Sequence, residues 1–122
     1  MNQIKNLLTG NIAIATVGSA VAVAPTPFSP PRDGGIKMSI RAKASGTTVR
    51  LSFKLLASFD GVTYVVPDDM SSAVLTVTDT GEHIKAVTPT VAPYYKIQID
   101  GDADNGANTI VTVLEICISS ER

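Results

Sequence analysis

The stretch TTVRLSFKLLAS, residues 47–58, decides the fold class. Every second residue from Thr47 to Ala57 can lie on a buried face, and most are apolar. The residues between them are polar or charged, with Leu56 as the one exception. Side chains alternate between the two faces of an extended strand, so this pattern predicts a strand with one buried and one solvent-exposed face.

Similar alternation recurs along the chain, with turns rich in Gly, Pro and Asp between the segments. Residues 35–44 and 94–100 alternate clearly. Residues 108–119 are apolar on both faces, as in a strand that lies centrally in a sheet or in a subunit contact. The inward positions of the alternating segments predict a core of Ile40, Leu51, Phe53, Leu55, Tyr95, Ile97 and Ile99. No segment of ten or more residues has convincing helical periodicity. About eight strands predict an all-β fold, an antiparallel two-sheet β-sandwich of jelly-roll-like type.

A turn at Ser45 and Gly46 separates two of these strands, and we expect residues 35–44 and 47–58 to form an antiparallel hairpin. Its outward positions hold five of the ten basic residues, which are Lys37, Arg41, Lys43, Arg50 and Lys54. An ordinary solvated face explains these charges. The alternative is a contact face for an acidic protein partner, with Arg41, Lys43, Arg50 and Lys54 as candidate interface residues.

The N-terminal segment differs from the rest in composition. Residues 11–16 and 19–24 are β-prone and uncharged, and four prolines follow in residues 24–35. We therefore divide the chain into residues 1–31, an extended arm or a first hairpin plus a Pro-rich connection, and residues 32–122, the β-sandwich domain. An arm would pair with another chain through its strand edges. Its candidate interface residues are Ile12, Ile14, Val21, Val23 and Phe28.

Composition and charge narrow the functional classes. The 122-residue chain has 17% charged residues, below the roughly 25% of an average soluble domain. A low-charge, aliphatic surface is more easily explained if a partner covers part of it. The net charge of −1 provides no field for nucleic acid, and no aromatic residues interleave with the basic ones. We expect neither a nucleic acid nor a membrane partner, since no run of about 18 apolar residues exists.

The N-terminus imitates a secretory signal, but its apolar stretch is interrupted by polar residues and glycine, so we expect no signal peptide. The single cysteine, Cys117, excludes an intrachain disulfide and lies in an apolar run, where a buried, inert thiol is expected.

Residues with catalytic or metal-binding chemistry are sparse. His83 is the only histidine, which argues against a nucleophilic triad and against a multi-histidine zinc site. One loop has the i, i+2, i+4 spacing of the first calcium ligands, with Asp100, Asp102 and Asp104. The match then fails, because Asn105 stands where such loops need glycine and Val111 where they need glutamate. We expect a solvated loop, no cofactor and no enzymatic activity.

Residues 50–119 resemble small bacteriophage virion proteins of the β-sandwich type, including capsid decoration (cement) proteins. The shared layout is a "DG-x-x-Y" turn, a "TG" hairpin, a "YY-x-I-x-I" strand and a final "NT-I-V-T-V" strand. The matching residues are Asp60, Gly61, Tyr64, Thr80, Gly81, Tyr94, Tyr95, Ile97, Ile99, Asn108, Thr109 and Val111.

The resemblance implies a non-enzymatic virion structural protein, assembled in the bacterial host cytoplasm. It implies partners among the major capsid protein and other virion proteins, and a symmetric homo-oligomer such as a trimer. It does not separate a head from a tail or connector position. The alternative is a carbohydrate- or receptor-binding sandwich of a phage tail or secreted protein. Such modules often carry Trp where this chain has Tyr64, which weakens a sugar platform.

Overall fold

A computed structural model of the chain describes residues 2–14, 21–23, 27–28, 36–68, 72–88, 92–101 and 109–120. These residues form nine β-strands. The strands are β1 (Asn2–Asn6), β2 (Ile12–Ile14), β3 (Val21–Val23), β4 (Ile36–Ser45), β5 (Leu51–Ser58), β6 (Leu75–Val77), β7 (His83–Val87), β8 (Tyr94–Gly101) and β9 (Thr109–Ser120). This part of the chain has no helix long and apolar enough to cross a membrane.

The strands pair in a jelly-roll order, all antiparallel. The first sheet runs β1–β9–β4–β7, with β2 also on β9, and the second runs β3–β8–β5–β6. β1 and β2 lie along the same edge of β9, so together they act as one interrupted strand. Strands then pair from the outside of the chain inwards: β1 and β2 with β9, β3 with β8, β4 with β7, and β5 with β6. This confirms the predicted all-β two-sheet sandwich.

The predicted hairpin between residues 35–44 and 47–58 is wrong. β4 pairs with β7 and β9, whereas β5 pairs with β6 and β8, so residues 46–50 cross from one sheet to the other. Both strands still bury one face, because they face the same core from opposite sheets. As a result, Arg41 and Lys43 lie on the outer face of the first sheet, whereas Lys54 lies on that of the second.

The core lies between the two sheets and is almost entirely aliphatic. Tyr95 is fully buried, and its ring stacks on Phe28 with the ring centroids 5.4 Å apart. Its hydroxyl accepts a hydrogen bond from the Ala92 N–H at 3.0 Å, which satisfies the one polar atom of that side chain. Burial raises the pKa of the Tyr95 hydroxyl. The predicted core residues are confirmed as buried: Ile40, Leu51, Phe53, Leu55, Tyr95, Ile97 and Ile99.

A β-bulge in β9 explains why this strand is apolar on both faces. Lys43 pairs with Val113 and Ala44 pairs with Val111, so Thr112 is the extra residue. The Thr112 hydroxyl donates a hydrogen bond to the Lys43 carbonyl oxygen at 3.3 Å. The bulge shifts the alternation, so the buried residues are Val111 and then Leu114. A strict period of two would place Val111 on the same face as Cys117, whereas here the two lie on opposite faces. The predicted central position of β9 is confirmed.

The described residues of the N-terminal segment are strands of the sandwich. β1 and β2 lie in the first sheet and β3 in the second, and Phe28 forms an isolated bridge with Tyr95. These residues therefore form neither an arm outside the sandwich nor a hairpin of β2 with β3. The pairing of β1 and β2 with β9 fills one edge of the first sheet, and Leu7 is fully buried between them.

We expect Ile97→Ala to lower the free energy of unfolding by about 2–5 kcal/mol, because it removes buried surface and leaves a cavity in the middle of β8. Denaturant unfolding measures this change. The control is Thr76→Ala on the exposed face of β6, expected to change it by less than about 0.5 kcal/mol. Equal effects of the two substitutions would contradict the assignment of the core face.

Candidate functional site

The surface aromatic residues gather around one turn. Of the three Phe and three Tyr of the chain, Phe28, Phe53 and Tyr95 are buried. The other three lie in the turn that follows β5 or at the start of β8, where Ser58 and Tyr94 are cross-strand partners. They are Phe59, Tyr64 and Tyr94. This end of the sandwich is therefore the candidate site.

A closed set of hydrogen bonds fixes the turn. The Asp60 carboxylate accepts from the backbone N–H of Val62 at 2.8 Å and of Thr63 at 2.9 Å. It also accepts from the hydroxyl of buried Ser58 at 2.9 Å, and that oxygen accepts from the Gly61 N–H at 2.9 Å. Gly61 has a φ of 77°, a left-handed conformation that glycine adopts without steric cost. The backbone here is held in one geometry by its own side chains.

These hydrogen bonds hold Asp60 in its charged form. The N–H groups of Thr63 and Val62 and the Ser58 hydroxyl lower the pKa of Asp60 to about 2. The carboxylate therefore stays ionised, and its Oδ1 oxygen accepts all three of these hydrogen bonds within the turn.

The rigid turn displays large apolar side chains to solvent. Phe59 and Val62 are each 82% exposed, and Val65 and Tyr94 are also exposed. The Tyr94 ring packs against Gly61, since a Cβ built on that glycine would meet the ring at 3.5 Å. We refer to Phe59, Val62, Val65 and Tyr94 as the Phe59 patch. Monomeric soluble domains rarely leave several large apolar side chains together on a rigid turn, and such patches mark interaction sites.

The chain after the turn folds back along β5. Val65 and Ala57 exchange two backbone hydrogen bonds of 2.8 and 3.0 Å. The Lys96 ammonium lies over the ring of Tyr64, 4.8 Å from its centroid, and Lys96 is the cross-strand partner of Leu56. Leu56 faces outward in β5 but is buried, and this returning segment explains the exception in the alternating pattern.

The predicted basic contact residues are not gathered into one basic surface. Arg41 bonds Glu82 and Glu115, both at 2.6 Å, and these hydrogen bonds raise the pKa of its guanidinium. On the second sheet, the Lys54 ammonium lies 3.6 Å from the carboxylate of Asp100 in the neighbouring strand β8. Lys43 and Arg50 are exposed, and Arg50 has a further interaction of its own. An acidic partner for these residues stays a prediction.

The predicted N-terminal interface residues are divided between core and surface. Ile14 and Phe28 are buried in this chain's own core, which corrects their assignment as partner contacts. Ile12 is half-buried and packs against the core, whereas Val23 is exposed. Val21 pairs with Asp100 at the edge of the second sheet. Of the five, Val23 offers the most side-chain surface among those whose side chains the structure describes.

Of the three aspartates predicted in the acidic loop, the structure describes only Asp100. Asp100 accepts a hydrogen bond from the Gln98 amide at 3.0 Å in addition to its ion pair with Lys54, whereas Asp102 and Asp104 lie outside the described residues.

His83 bonds the Asp79 carboxylate at 2.8 Å, and this hydrogen bond lowers the pKa of Asp79. Across residues 2–14, 21–23, 27–28, 36–68, 72–88, 92–101 and 109–120, no group of three His, Cys, Asp or Glu is placed to hold a metal.

Sequence reasoning identified Asp60, Gly61 and Tyr64 as a turn but missed Phe59 and Val62 as functional residues. The available signal was a pair of large apolar residues flanking a turn dipeptide, where solvated side chains are usual.

Comparisons with protein-family models, curated proteins and solved structures find no match for this chain.

Gly61→Ala tests whether the turn geometry is strained for other residues. We expect a loss of about 1–2 kcal/mol in the free energy of unfolding, because an L-residue pays this cost in the left-handed region. Denaturant titration checks it. Gly10→Ala is the matched control, since a Cβ at Gly10 meets nothing within 4 Å, and we expect a change below about 0.5 kcal/mol. A neutral Gly61→Ala would contradict the described turn.

Asp60→Asn tests the charge of the turn. The pKa of Asp60 is lowered from 3.8 to about 2, so its carboxylate stabilises the fold above pH 4, and this contribution is lost as the pH falls through about 2. We therefore expect the stability advantage of the wild type over Asp60→Asn to shrink steadily between pH 4 and pH 2. Chemical denaturation at a series of pH values measures it. A constant difference over that range would show that the carboxylate is not bonded as described.

Proposed function

We propose that this protein is a non-enzymatic structural protein of a virion, and that it decorates a capsid by docking the Phe59 patch onto the shell. The observation that carries the proposal is the exposure of Phe59 and Val62 on a turn fixed by hydrogen bonds to Asp60 and Ser58. Aromatic anchors that enter a partner's pocket commonly dominate protein interfaces. A turn already held in one conformation loses little entropy on binding.

The sheet edges support docking through a turn rather than by strand addition. Lys5 is the cross-strand partner of Ile116, and Lys85 that of Ile40, so both lysines stand at core-facing positions of edge strands. A charged residue in such a position blocks a further strand from packing there. In the second sheet, the edge strands β3 and β6 have three residues each. Because the edge strands of both sheets are short or carry a lysine, the Phe59 patch is a better contact surface than a sheet edge.

The strand order also supports the proposal, by analogy. Jelly rolls occur among viral capsid proteins, and the resemblance of residues 50–119 to phage decoration proteins concerns the same strands and turns. Fold analogy alone does not carry function, since lectins and cupins share the jelly roll. The Phe59 patch supplies the specific surface that the analogy lacks.

Carbohydrate binding is the second candidate, because Phe59, Tyr64 and Tyr94 gather at one end of the sandwich. Sugar rings stack on open aromatic faces. Here Lys96 covers one face of Tyr64 and Gly61 lies against the Tyr94 ring, so less aromatic surface remains. Selective binding on a glycan array, lost in Tyr94→Ala, would favour this candidate over a virion role.

Immunogold labelling tests the proposed location. Antibodies raised against this protein should decorate the head surface of virions from the producing bacterial host. Mass spectrometry of the same particles should give a fixed ratio of this chain to the major shell protein. Particles that lack the chain, or labelling confined to the tail, would overturn capsid decoration.

A binding assay tests the role of the Phe59 patch. Purified protein should rebind particles from which it has been stripped, and Phe59→Asp should weaken rebinding more than tenfold, a loss of over about 1.4 kcal/mol. Thr76→Asp, equally polar and on the exposed face of β6, is the control and should bind like the wild type. Unchanged binding of Phe59→Asp would exclude the patch as the contact.

A further inference from the structure

One oxygen of the Asp60 carboxylate is left open by the turn that holds the other. Oδ1 accepts the hydrogen bonds from Ser58, Val62 and Thr63. In the part of the chain that the structure describes, no other residue donates a hydrogen bond to Oδ2, and Asp60 is exposed. Oδ2 is therefore accessible to a donor from another molecule.

The negative charge of Asp60 is also without a neighbouring cation. The ion pairs of the described residues lie on the two sheets and beside β7, and none of them includes Asp60. Lys96 contacts this end of the sandwich, but its ammonium lies over the ring of Tyr64. The turn therefore presents a carboxylate whose charge these described groups leave unpaired.

A partner that docks on the Phe59 patch must cover this charge. Asp60 lies in the turn between Phe59 and Val62, which are each 82% exposed, so contact with both side chains removes water from the carboxylate. Burying an ionised group is strongly unfavourable unless an opposite charge accompanies it. A carboxyl group often avoids this cost by taking up a proton, but the pKa of about 2 keeps Asp60 ionised. The partner must therefore bring a positive charge to this point.

We propose that the partner of the Phe59 patch places an arginine side chain on Asp60, beside an apolar residue that packs on Phe59 and Val62. The guanidinium donates an N–H to Oδ2, and its planar face lies on the Phe59 ring. A guanidinium suits this position better than an ammonium, because it is planar and more weakly hydrated. The arginine contact rests on the proposed function, in which the Phe59 patch is the docking surface, and adds the chemistry that the shell protein presents there.

A peptide titration tests the arginine contact without any virion. The probe is acetyl-Leu-Arg-Leu-amide, and its match is the same peptide with citrulline, which keeps the shape of arginine but carries no charge. In NMR spectra of the full, isotope-labelled chain, the arginine peptide should shift the amide signals of Val62 and Thr63. The citrulline peptide should bind about tenfold more weakly.

Two results of this titration would overturn the arginine contact. One is equal affinity of the arginine and citrulline peptides, and the other is an arginine peptide that leaves the signals of Val62 and Thr63 unmoved. A lysine peptide that binds as tightly as the arginine peptide would overturn the choice of a guanidinium.

Asp60→Asn tests the same contact from the side of the protein. It removes the charge but keeps an oxygen that can accept the hydrogen bonds of the turn, so it should bind both peptides equally. Asp100→Asn is the matched control and should keep the preference for arginine. It changes the net charge equally, at the other end of β8, about 20 Å from Tyr94. Thermal melts confirm that both variants fold. An Asp60→Asn variant that still prefers the arginine peptide would contradict the contact.

Rebinding to stripped particles separates this contact from the proposed function. Asp60→Asn should rebind about tenfold more weakly than the wild type, and Asp100→Asn should rebind like the wild type. If Phe59→Asp weakens rebinding and Asp60→Asn does not, the patch docks on the shell but without an arginine. If the wild type does not rebind at all, the virion role fails, and the peptide titration still decides whether the turn selects arginine.

Discussion

The ladder between β4 and β9 is the contact on which the rest of the structure depends. Ten residue pairs join the two strands, the longest register in the molecule. β9 also holds β1 and β2 on its other side, and β4 holds β7, so the first sheet has no continuity without this pair. Arg41 ties the ladder across its outer face by bonding Glu115 of β9 and Glu82 beside β7. Even the bulge at Thr112 lies within it, closed by a hydrogen bond to β4.

Alternation in the sequence was enough to predict the fold class and the core. Leu51, Phe53 and Ile97 are buried as expected, because a period of two depends only on which face meets the core. The pairing of strands could not be predicted in the same way, since alternation within one strand does not indicate which other strand it pairs with. The Ser45–Gly46 turn has the composition of a hairpin, yet here it leads the chain from one sheet into the other. Partner choice depends on packing across the whole sandwich, which no local signal contains.

The candidate site was harder to predict because its residues belong to no known chemical signature. A turn with Asp60 and Gly61 was foreseeable, but the outward position of Phe59 and Val62 follows from hydrogen bonds that fix the backbone between them. The predicted basic residues do not share one face, for a related reason. Arg41 and Lys54 lie on different sheets, and each has a carboxylate neighbour that is distant in sequence. The charge that a partner meets is set by these long-range pairs.

The position of β9 as the last strand has a consequence for protein synthesis. The first sheet closes only when residues 109–120 have left the ribosome, because β1, β2 and β4 have their common partner there. Until then these strands expose unpaired backbone and apolar faces, the state most prone to aggregation and most in need of chaperones. Most contacts join residues far apart in the chain, which also makes folding slow. A nascent chain that stalls before residue 109 lacks β9 and cannot complete the first sheet. The topology therefore prevents incomplete copies of the chain from reaching the folded state.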